Sequence, residues 1–247
     1  MRYCYYGKKP QNYIQNWIYD DANPEIVFSF GGDGTMLGAI HQYEDKLDQV
    51  KFVGIKQGTL GFFCNFTLEE LDNVVSLLDT NLYLEDNFQV IEYIVEASGK
   101  THRGYAINEI AITNPINTQI IDVYINDKHF EKYRGTGFLV LPPAGSTAYN
   151  KSLGGSIVDP SVEAYQLTEI APINNNAYKS LSSSLVLSKS QNLELKFEDS
   201  KNLYISVDGN HYDISDIESI KVELSNVTVT IVTDGETFFS RLKNAFL

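Results

Sequence analysis

Gly31-Gly32-Asp33-Gly34-Thr35 is the segment of this 247-residue chain whose residue types and spacing point most directly to chemistry. A short apolar run, 25–30, precedes it and residues with helical spacing follow, so its glycines lie where a strand gives way to a helix. Glycines at such a junction let a phosphate approach the backbone, and the helix N-terminus offers unpaired N–H groups and positive potential. Gly31, Gly32 and Thr35 form the candidate phosphate loop. A carboxylate in the same turn would repel phosphate unless it takes a proton from a hydroxyl or works beside a metal ion. Asp33 therefore suggests phosphoryl transfer to an alcohol, with the aspartate orienting and deprotonating the acceptor. The alternative is an ordinary turn in which Asp33 caps the following helix.

Two further segments carry polar groups suited to a ligand. Asn108-Glu109 sets an amide beside a carboxylate, a pair able to hold a ribose diol, although such a pair in a strand is commonly without function. Residues 142–155, PPAGSTAYNKSLGG, offer the hydroxyls of Ser146, Thr147 and Ser152, close backbone approach at Gly145, and the stacking face of Tyr149. They suit a flat ligand with many hydroxyls, or else form a long surface turn. Two familiar phosphate motifs fail. Leu37 occupies the third glycine position of G-x-G-x-x-G, and the GKT at 99–101 lacks the leading glycine of a P-loop, having Ile94 there.

Composition narrows the class. Nineteen basic against 32 acidic residues give a net charge of −13. A general nucleic-acid binder carries the opposite sign, because phosphate neutralisation dominates its affinity. Any anionic ligand must instead be held by backbone amides, a few basic residues or a metal ion. Cys4 and Cys64 make neither a disulfide framework nor a zinc spacing, and the four histidines are scattered. The first residues lack the apolar run of a secretory signal, and no stretch approaches the ~20 apolar residues that span a bilayer. The expectation is a soluble, reduced, cytoplasmic protein with neither nucleic acid nor membrane as partner.

These segments must be positioned by regular elements. Strand signals at 25–30 and 51–55 alternate with helical spacing at 35–47 and 68–79, which implies a parallel sheet with right-handed crossovers. Gly58 and Gly61 mark a second glycine turn after 51–55. From about residue 88 the period changes to that of strands, at 89–96, 105–113, 120–125, 138–141, 193–197, 204–207, 219–224 and 228–232. Turns are expected at Ser98-Gly99, Asn126-Asp127 and Asp208-Gly209. Asp159-Pro160 reads as a helix start, with the helix over 162–170. The expected architecture is an α/β domain over 1–87 and a mostly β domain over 88–232. Residues 233–247 should form a closing helix that packs back on the first domain, and the active site is expected between the domains.

Taken in order, GGDGT, GTLGFF at 58–63, Asn108-Glu109, RGTG at 134–137, GSTAYNKSLGG at 145–155 and Asp208-Gly209 resemble the NAD kinases, over nearly the whole chain. GGDG alone is shared with lipid kinases and phosphofructokinases; its succession by NE and GSTAYNKS is far more specific. The resemblance implies an α/β domain joined to a β-rich, NAD-binding domain and transfer of the ATP γ-phosphate to the adenosine ribose 2′-hydroxyl of NAD. It makes Asp33 the general base, with Gly34 beside it, and puts Phe62 against the adenine. Asn108 and Glu109 would hold ribose hydroxyls. Thr147, Ala148, Tyr149 and Ser152 would line the nicotinamide riboside and the adenosine site of a neighbouring subunit. Arg134, Thr136, Ala171 and Asn210 complete the implied substrate-binding set. The chain has Thr136 where the family usually has aspartate, which removes a carboxylate expected near the nicotinamide amide. The resemblance also implies Mg²⁺ or another divalent cation with ATP, and a homo-oligomer, a tetramer in many members. The rival functions are a lipid kinase sharing GGDGT and a non-catalytic NAD-binding protein. The first should show a membrane-docking element, and the second has no use for a base beside a phosphate loop.

Overall fold

The computed structural model describes residues 1–8, 14–56 and 61–247. Gly58 of the expected second glycine turn therefore lies outside the described residues, together with Thr59 and Leu60 of GTLGFF. The chain divides into a first unit, Met1–Phe88 with Val227–Leu247, and a second, Gln89–Asn226.

The first unit is built on strands β1 (Arg2–Gly7), β2 (Ile18–Tyr19), β3 (Ile26–Gly31) and β4 (Lys51–Lys56), parallel and in the order β2-β1-β3-β4. Helix α1 (Asp33–Gln42) follows β3, and α2 (Leu71–Asp79) follows β4. β3 is apolar apart from the buried Ser29 because both of its faces are covered. Ile26, Phe28 and Phe30 pack with Tyr3, Val53 and Val74 on one side. Val27 is fully buried on the other, in register with Cys4, whose Sγ lies 3.0 Å from the Tyr43 hydroxyl at the end of α1.

The chain continues through β5 (Leu84–Ala97), β6 (Lys100–Ala106), β7 (Ile110–Thr113), β8 (Gln119–Ile125), β9 (Lys128–Gly135) and β10 (Gly137–Leu141). After the short helix α3 (Tyr149–Ser152) come β11 (Ala164–Ile170), β12 (Leu185–Ser188), β13 (Leu193–Phe197), β14 (Tyr204–Val207), β15 (Asn210–Tyr212) and β16 (Ile217–Thr233). Helix α4 (Phe238–Phe246) closes it. The last residues of β16 pair in parallel with β4, and α4 belongs to the first unit. The second unit is a sandwich. One sheet runs β12-β11-β10-β7-β14-β15, and the other joins β16, β13, β8 and β9 with the β5–β6 hairpin. Ile110, Phe138 and Leu167 of the first share one core with Val95, Val123 and Leu195 of the second. An α/β unit and a mostly β unit are the fold class expected from the sequence.

The three expected turns each close a two-residue hairpin with positive φ at both positions: Ser98 (49°) and Gly99 (71°), Asn126 (50°) and Asp127 (61°), Asp208 (49°) and Gly209 (81°). Mirror-image turns of this kind match the strand twist and favour Asn, Asp and Gly. The expected helix over 162–170 is instead β11. Tyr165 and Leu167 face the core while Gln166 and Thr168 are buried on the opposite face, a period of two hidden by burial on both sides. Asp159 accepts from Ser161 N–H at 2.8 Å in a local turn and starts no helix. The expected strand 105–113 is interrupted at 107–109, whereas 219–224 and 228–232 are parts of the single strand β16.

Candidate active site

In the first unit, α1 begins at Asp33, and its N-cap is Gly32, with no side-chain cap. The helix-capping alternative for Asp33 is thereby corrected, because the carboxylate points to another segment. Oδ2 accepts the Phe62 N–H at 2.8 Å and Oδ1 the Phe63 N–H at 3.0 Å. An ionised carboxylate has about four acceptor sites, so capacity for a substrate hydroxyl is left. Glycine is required at position 61, where a Cβ would run into that carboxylate. Gly31 lies as close to the Thr35 side chain. At Gly32 and Gly34 a Cβ would meet no described atom within 4 Å, so packing among the described residues does not demand glycine there. The Phe62 ring is half-buried and lies 6.3 Å from Phe238 and 6.1 Å from Phe246 of α4. Next to it, burial and the Asp33 charge push the Cys64 thiol up to about 12, against an opposing pull from Lys56.

In the second unit, Asn108 and Glu109 lie in the interruption between β6 and β7, and the cause of the interruption is Asp208. Its buried carboxylate accepts three successive backbone N–H groups, from Ile107 at 3.0 Å, Asn108 at 2.7 Å and Glu109 at 2.9 Å. The Asp208 N–H returns a bond to the Glu109 carbonyl at 2.9 Å. Burial, then the Asp208 charge, raise the Glu109 carboxyl to about 7, although the Tyr149 N–H pulls the other way. Glu109 Oε2 is buried and has no hydrogen-bond partner. A buried carboxylate oxygen without a donor is suited to a ligand hydroxyl.

Residues 142–155 divide between scaffold and surface. Gly145 packs so closely on the Asn108 backbone that a Cβ would overlap its carbonyl. Ser146 and Asn150 are fully buried. Ser146 Oγ accepts from Val158 N–H at 3.0 Å; Asn150 donates to the Ser156 carbonyl at 3.1 Å and accepts from Thr168 at 2.8 Å. Thr147 and Ala148 are partly exposed, and Tyr149 and Ser152 exposed. Sequence reasoning put Ser146 among the ligand hydroxyls, whereas its hydroxyl is taken up inside the fold. The same reasoning missed Asp208 beyond its place in a turn, and did not single out Asn150 within its segment.

Thr136 and Ala171 come together at a cavity of about 240 Å³, which Asn114, Asn117 and Ile173 also line. Ala171 is held at φ 49°, a costly conformation for a residue with a Cβ, of the kind that gathers at ligand sites. The Arg134 guanidinium lies 4.2 Å from the Tyr178 ring centre. Asn210 opens β15 and is exposed.

Among the described residues no three His, Cys, Asp or Glu side chains converge where they could hold a metal ion. Likewise, no helix of the described residues is long and apolar enough to cross a membrane. The ATP-NAD kinase C-terminal domain family matches residues 107–233. NAD kinase 1 of Listeria monocytogenes is 44% identical over 211 residues, 84% of this chain and 79% of the relative. The NAD kinase of Streptococcus pneumoniae is 40% identical over 238 residues, 94% of this chain and 86% of the relative. Among solved structures, the yeast NADH kinase complexed with NADH superposes with a TM-score of 0.78 at 24% identity. That match covers 89% of this chain but only 64% of the longer yeast protein. An Archaeoglobus fulgidus NAD kinase in complex with ATP superposes with a TM-score of 0.76 at 20% identity, over 99% of both chains. The two structures share the fold, and the two bacterial relatives share sequence along most of the chain. With GGDGT, Asn108-Glu109 and GSTAYNKS all in place, the chain belongs to the NAD kinase family.

Proposed function

We propose that this protein is an ATP-dependent NAD kinase. The observation that carries the reading is the intact Asp33 carboxylate, held by two backbone donors at the head of α1, in a chain of this family. Asp33 takes the proton of the adenosine ribose 2′-hydroxyl as its oxygen attacks the γ-phosphorus in line. A phosphorus–oxygen bond forms there, the bond to the β-phosphate oxygen breaks, and ADP leaves with NADP as product. Gly31, Gly32, Gly34 and Thr35 offer backbone and a hydroxyl to phosphate, and Phe62 gives the adenine a wall. Asn108 and Glu109 hold ribose hydroxyls, Glu109 through its unpartnered oxygen. Thr147, Ala148, Tyr149 and Ser152 present the polar, partly stacking surface that a nucleoside needs. Thr136 serves the nicotinamide end, and Arg134, Ala171 and Asn210 complete the substrate-binding set.

A hard divalent cation is commonly held by substrate phosphates with one or two carboxylates, which suits a chain without a three-ligand cluster among its described residues. Mg²⁺ would then arrive with ATP and neutralise charge on the triphosphate. A cytoplasmic location, where both substrates are available, is part of the proposal. Incubation with ATP, Mg²⁺ and, in turn, NAD, diacylglycerol or fructose 6-phosphate tests the function: NAD alone should be phosphorylated. A phosphorylated lipid, or binding of NAD without turnover, would replace this reading with one of its rivals. A homo-oligomer, with a tetramer as the favoured size, is part of the proposal, because 145–155 carries more ligand-type residues than one pocket uses. Sedimentation at micromolar concentration should show dimers or tetramers, and a fully active monomer would exclude shared sites.

Two smaller predictions follow from single residues. Thr136→Asp should tighten NAD binding by ~1 kcal/mol, the worth of one improved hydrogen bond, with little change in turnover. A large fall in turnover at unchanged affinity would give Thr136 another role. Glu109, poised near 7, gives a pH dependence with two signs. In the unliganded protein its pKa is raised above the unfolded value, so the folded form binds the extra proton. Its contribution to stability is present below about 4.5 and is lost as pH rises to about 7. For ligand binding the ionised form is the better acceptor. NAD affinity should therefore rise roughly tenfold between about pH 6 and 8, following the ionised fraction, and Glu109→Gln should abolish the rise. The same rise in that variant would assign the titration to another group.

A further inference from the structure

Helix α4 docks in an unusual way: its one buried residue is an arginine. Arg241 is 4% exposed, and a guanidinium is costly to bury unless its donors are paired. Nη2 donates to Thr233 Oγ1 at 2.7 Å and to Asp86 Oδ2 at 2.9 Å, while Nη1 donates to the Phe62 carbonyl at 3.2 Å. Apolar packing of the helix would not need an arginine there. The third contact gives it a use.

The Phe62 carbonyl and the Phe63 N–H belong to one planar peptide group. On one side that group accepts from Arg241, and on the other it donates to Asp33 Oδ1 at 3.0 Å. The Phe62 N–H, one peptide earlier, donates to Oδ2 of the same carboxylate. A cation on the carbonyl side polarises the amide and strengthens its N–H as a donor, as in any chain of hydrogen bonds. Phe238 and Phe246 of α4 fix the ring of the same residue. We propose that Arg241 is a positioning residue for phosphoryl transfer. Through the Phe62–Phe63 peptide it sets the orientation of the Asp33 carboxylate, so that α4 completes the reacting site without touching substrate. The proposal rests on the reading of Asp33 as the group that handles the acceptor hydroxyl.

The test compares Arg241→Lys with Thr233→Val by turnover, melting temperature and amide hydrogen exchange. A lysine keeps the charge and the Asp86 partner, but its single ammonium cannot also span to the Phe62 carbonyl as a guanidinium does. In Arg241→Lys, NADP formation at saturating substrates should fall at least roughly tenfold, and exchange at Phe62 and Phe63 should quicken by a similar factor. Thr233→Val removes a partner of Nη2 and leaves the bond from Nη1 to the Phe62 carbonyl in place; it should lower the melting temperature yet leave both rates within about twofold. Turnover that follows melting temperature alike in both variants would overturn the proposal, and so would faster exchange in Arg241→Lys with normal turnover. Should Arg241→Lys not fold, exchange in the wild type decides. Phe62 and Phe63 should open together with the α4 amides, and independent opening would overturn the anchoring. If the wild type makes no NADP, the kinase reading fails by itself, and the exchange comparison still decides whether Arg241 holds that peptide.

Discussion

Asp33→Asn should lower the rate of NADP formation at least ~100-fold at saturating substrates while NAD still binds, since a general base is worth roughly 10²–10⁴-fold. The substitution preserves size, but it is not silent in the structure. The carboxylate accepts from both Phe62 and Phe63 N–H, and an amide can accept from only one and must turn an NH₂ toward the other. One donor facing a donor costs ~1–3 kcal/mol, and the melting temperature should fall by ~2–10 °C. The loss of rate must therefore be separated from the loss of geometry. Arg241→Lys loosens the same peptide with the carboxylate intact, so a base role requires Asp33→Asn to be clearly the slower of the two. Equal rates would make Asp33 a structural acceptor, and near-wild-type turnover in Asp33→Asn would remove it from the chemistry.

The second large effect is expected at Asp208. Asp208→Asn suits the turn, because asparagine tolerates the positive φ of 49° at least as well as aspartate. What it cannot do is accept three N–H groups at once. Oδ1 takes both the Asn108 and the Glu109 N–H, so an amide oxygen placed there keeps two bonds and turns its NH₂ toward the Ile107 N–H. That one unsatisfied donor should cost ~1–3 kcal/mol, or ~2–10 °C in melting temperature. The KM for NAD should rise more than turnover falls, since a donor facing a donor at Ile107 would disturb the 107–109 segment and with it the bond of the Glu109 carboxylate to the Tyr149 N–H. Glu109→Gln, which leaves that scaffold alone, should melt close to the wild type. A melting temperature and KM both unchanged in Asp208→Asn would mean that the three bonds do not hold the segment.

The features legible in the sequence are those that local chemistry decides. β3 and β4 are short, mostly apolar runs, β3 ending in Gly31 and β4 followed in sequence by Gly58, and both are buried on two faces as such runs imply. The three hairpin turns were readable because positive φ at two consecutive residues restricts the choice of side chain. Other features depend on partners remote in sequence. The break at 107–109 is made by a carboxylate 99 to 101 residues away, and nothing in YAINEIAIT announces it. β11 misled for the opposite reason: Ala164, Tyr165, Leu167 and Ile170 imitate helical spacing once Gln166 and Thr168 are buried as well. β1, β2, β9, β12 and β15 escaped notice altogether. For the site the same division holds. GGDGT and Asn108-Glu109 were visible as residue types, but the bond from Asp33 to the 62–63 backbone was not. Nor was the difference between Ser146, consumed by the fold, and the more exposed Thr147 beside it.

The state of the two cysteines has a practical side. Thiol reagents attack the thiolate, so reactivity follows access and acidity together. Cys4 is buried against the Tyr43 hydroxyl, and Cys64 is buried with its thiol held near 12, so neither thiol is presented to solvent for attack. The natural chain is therefore already a blank background for labelling. A cysteine introduced at an exposed position such as Leu82, which is 73% accessible, would take up a maleimide dye selectively, with no native thiol to remove first.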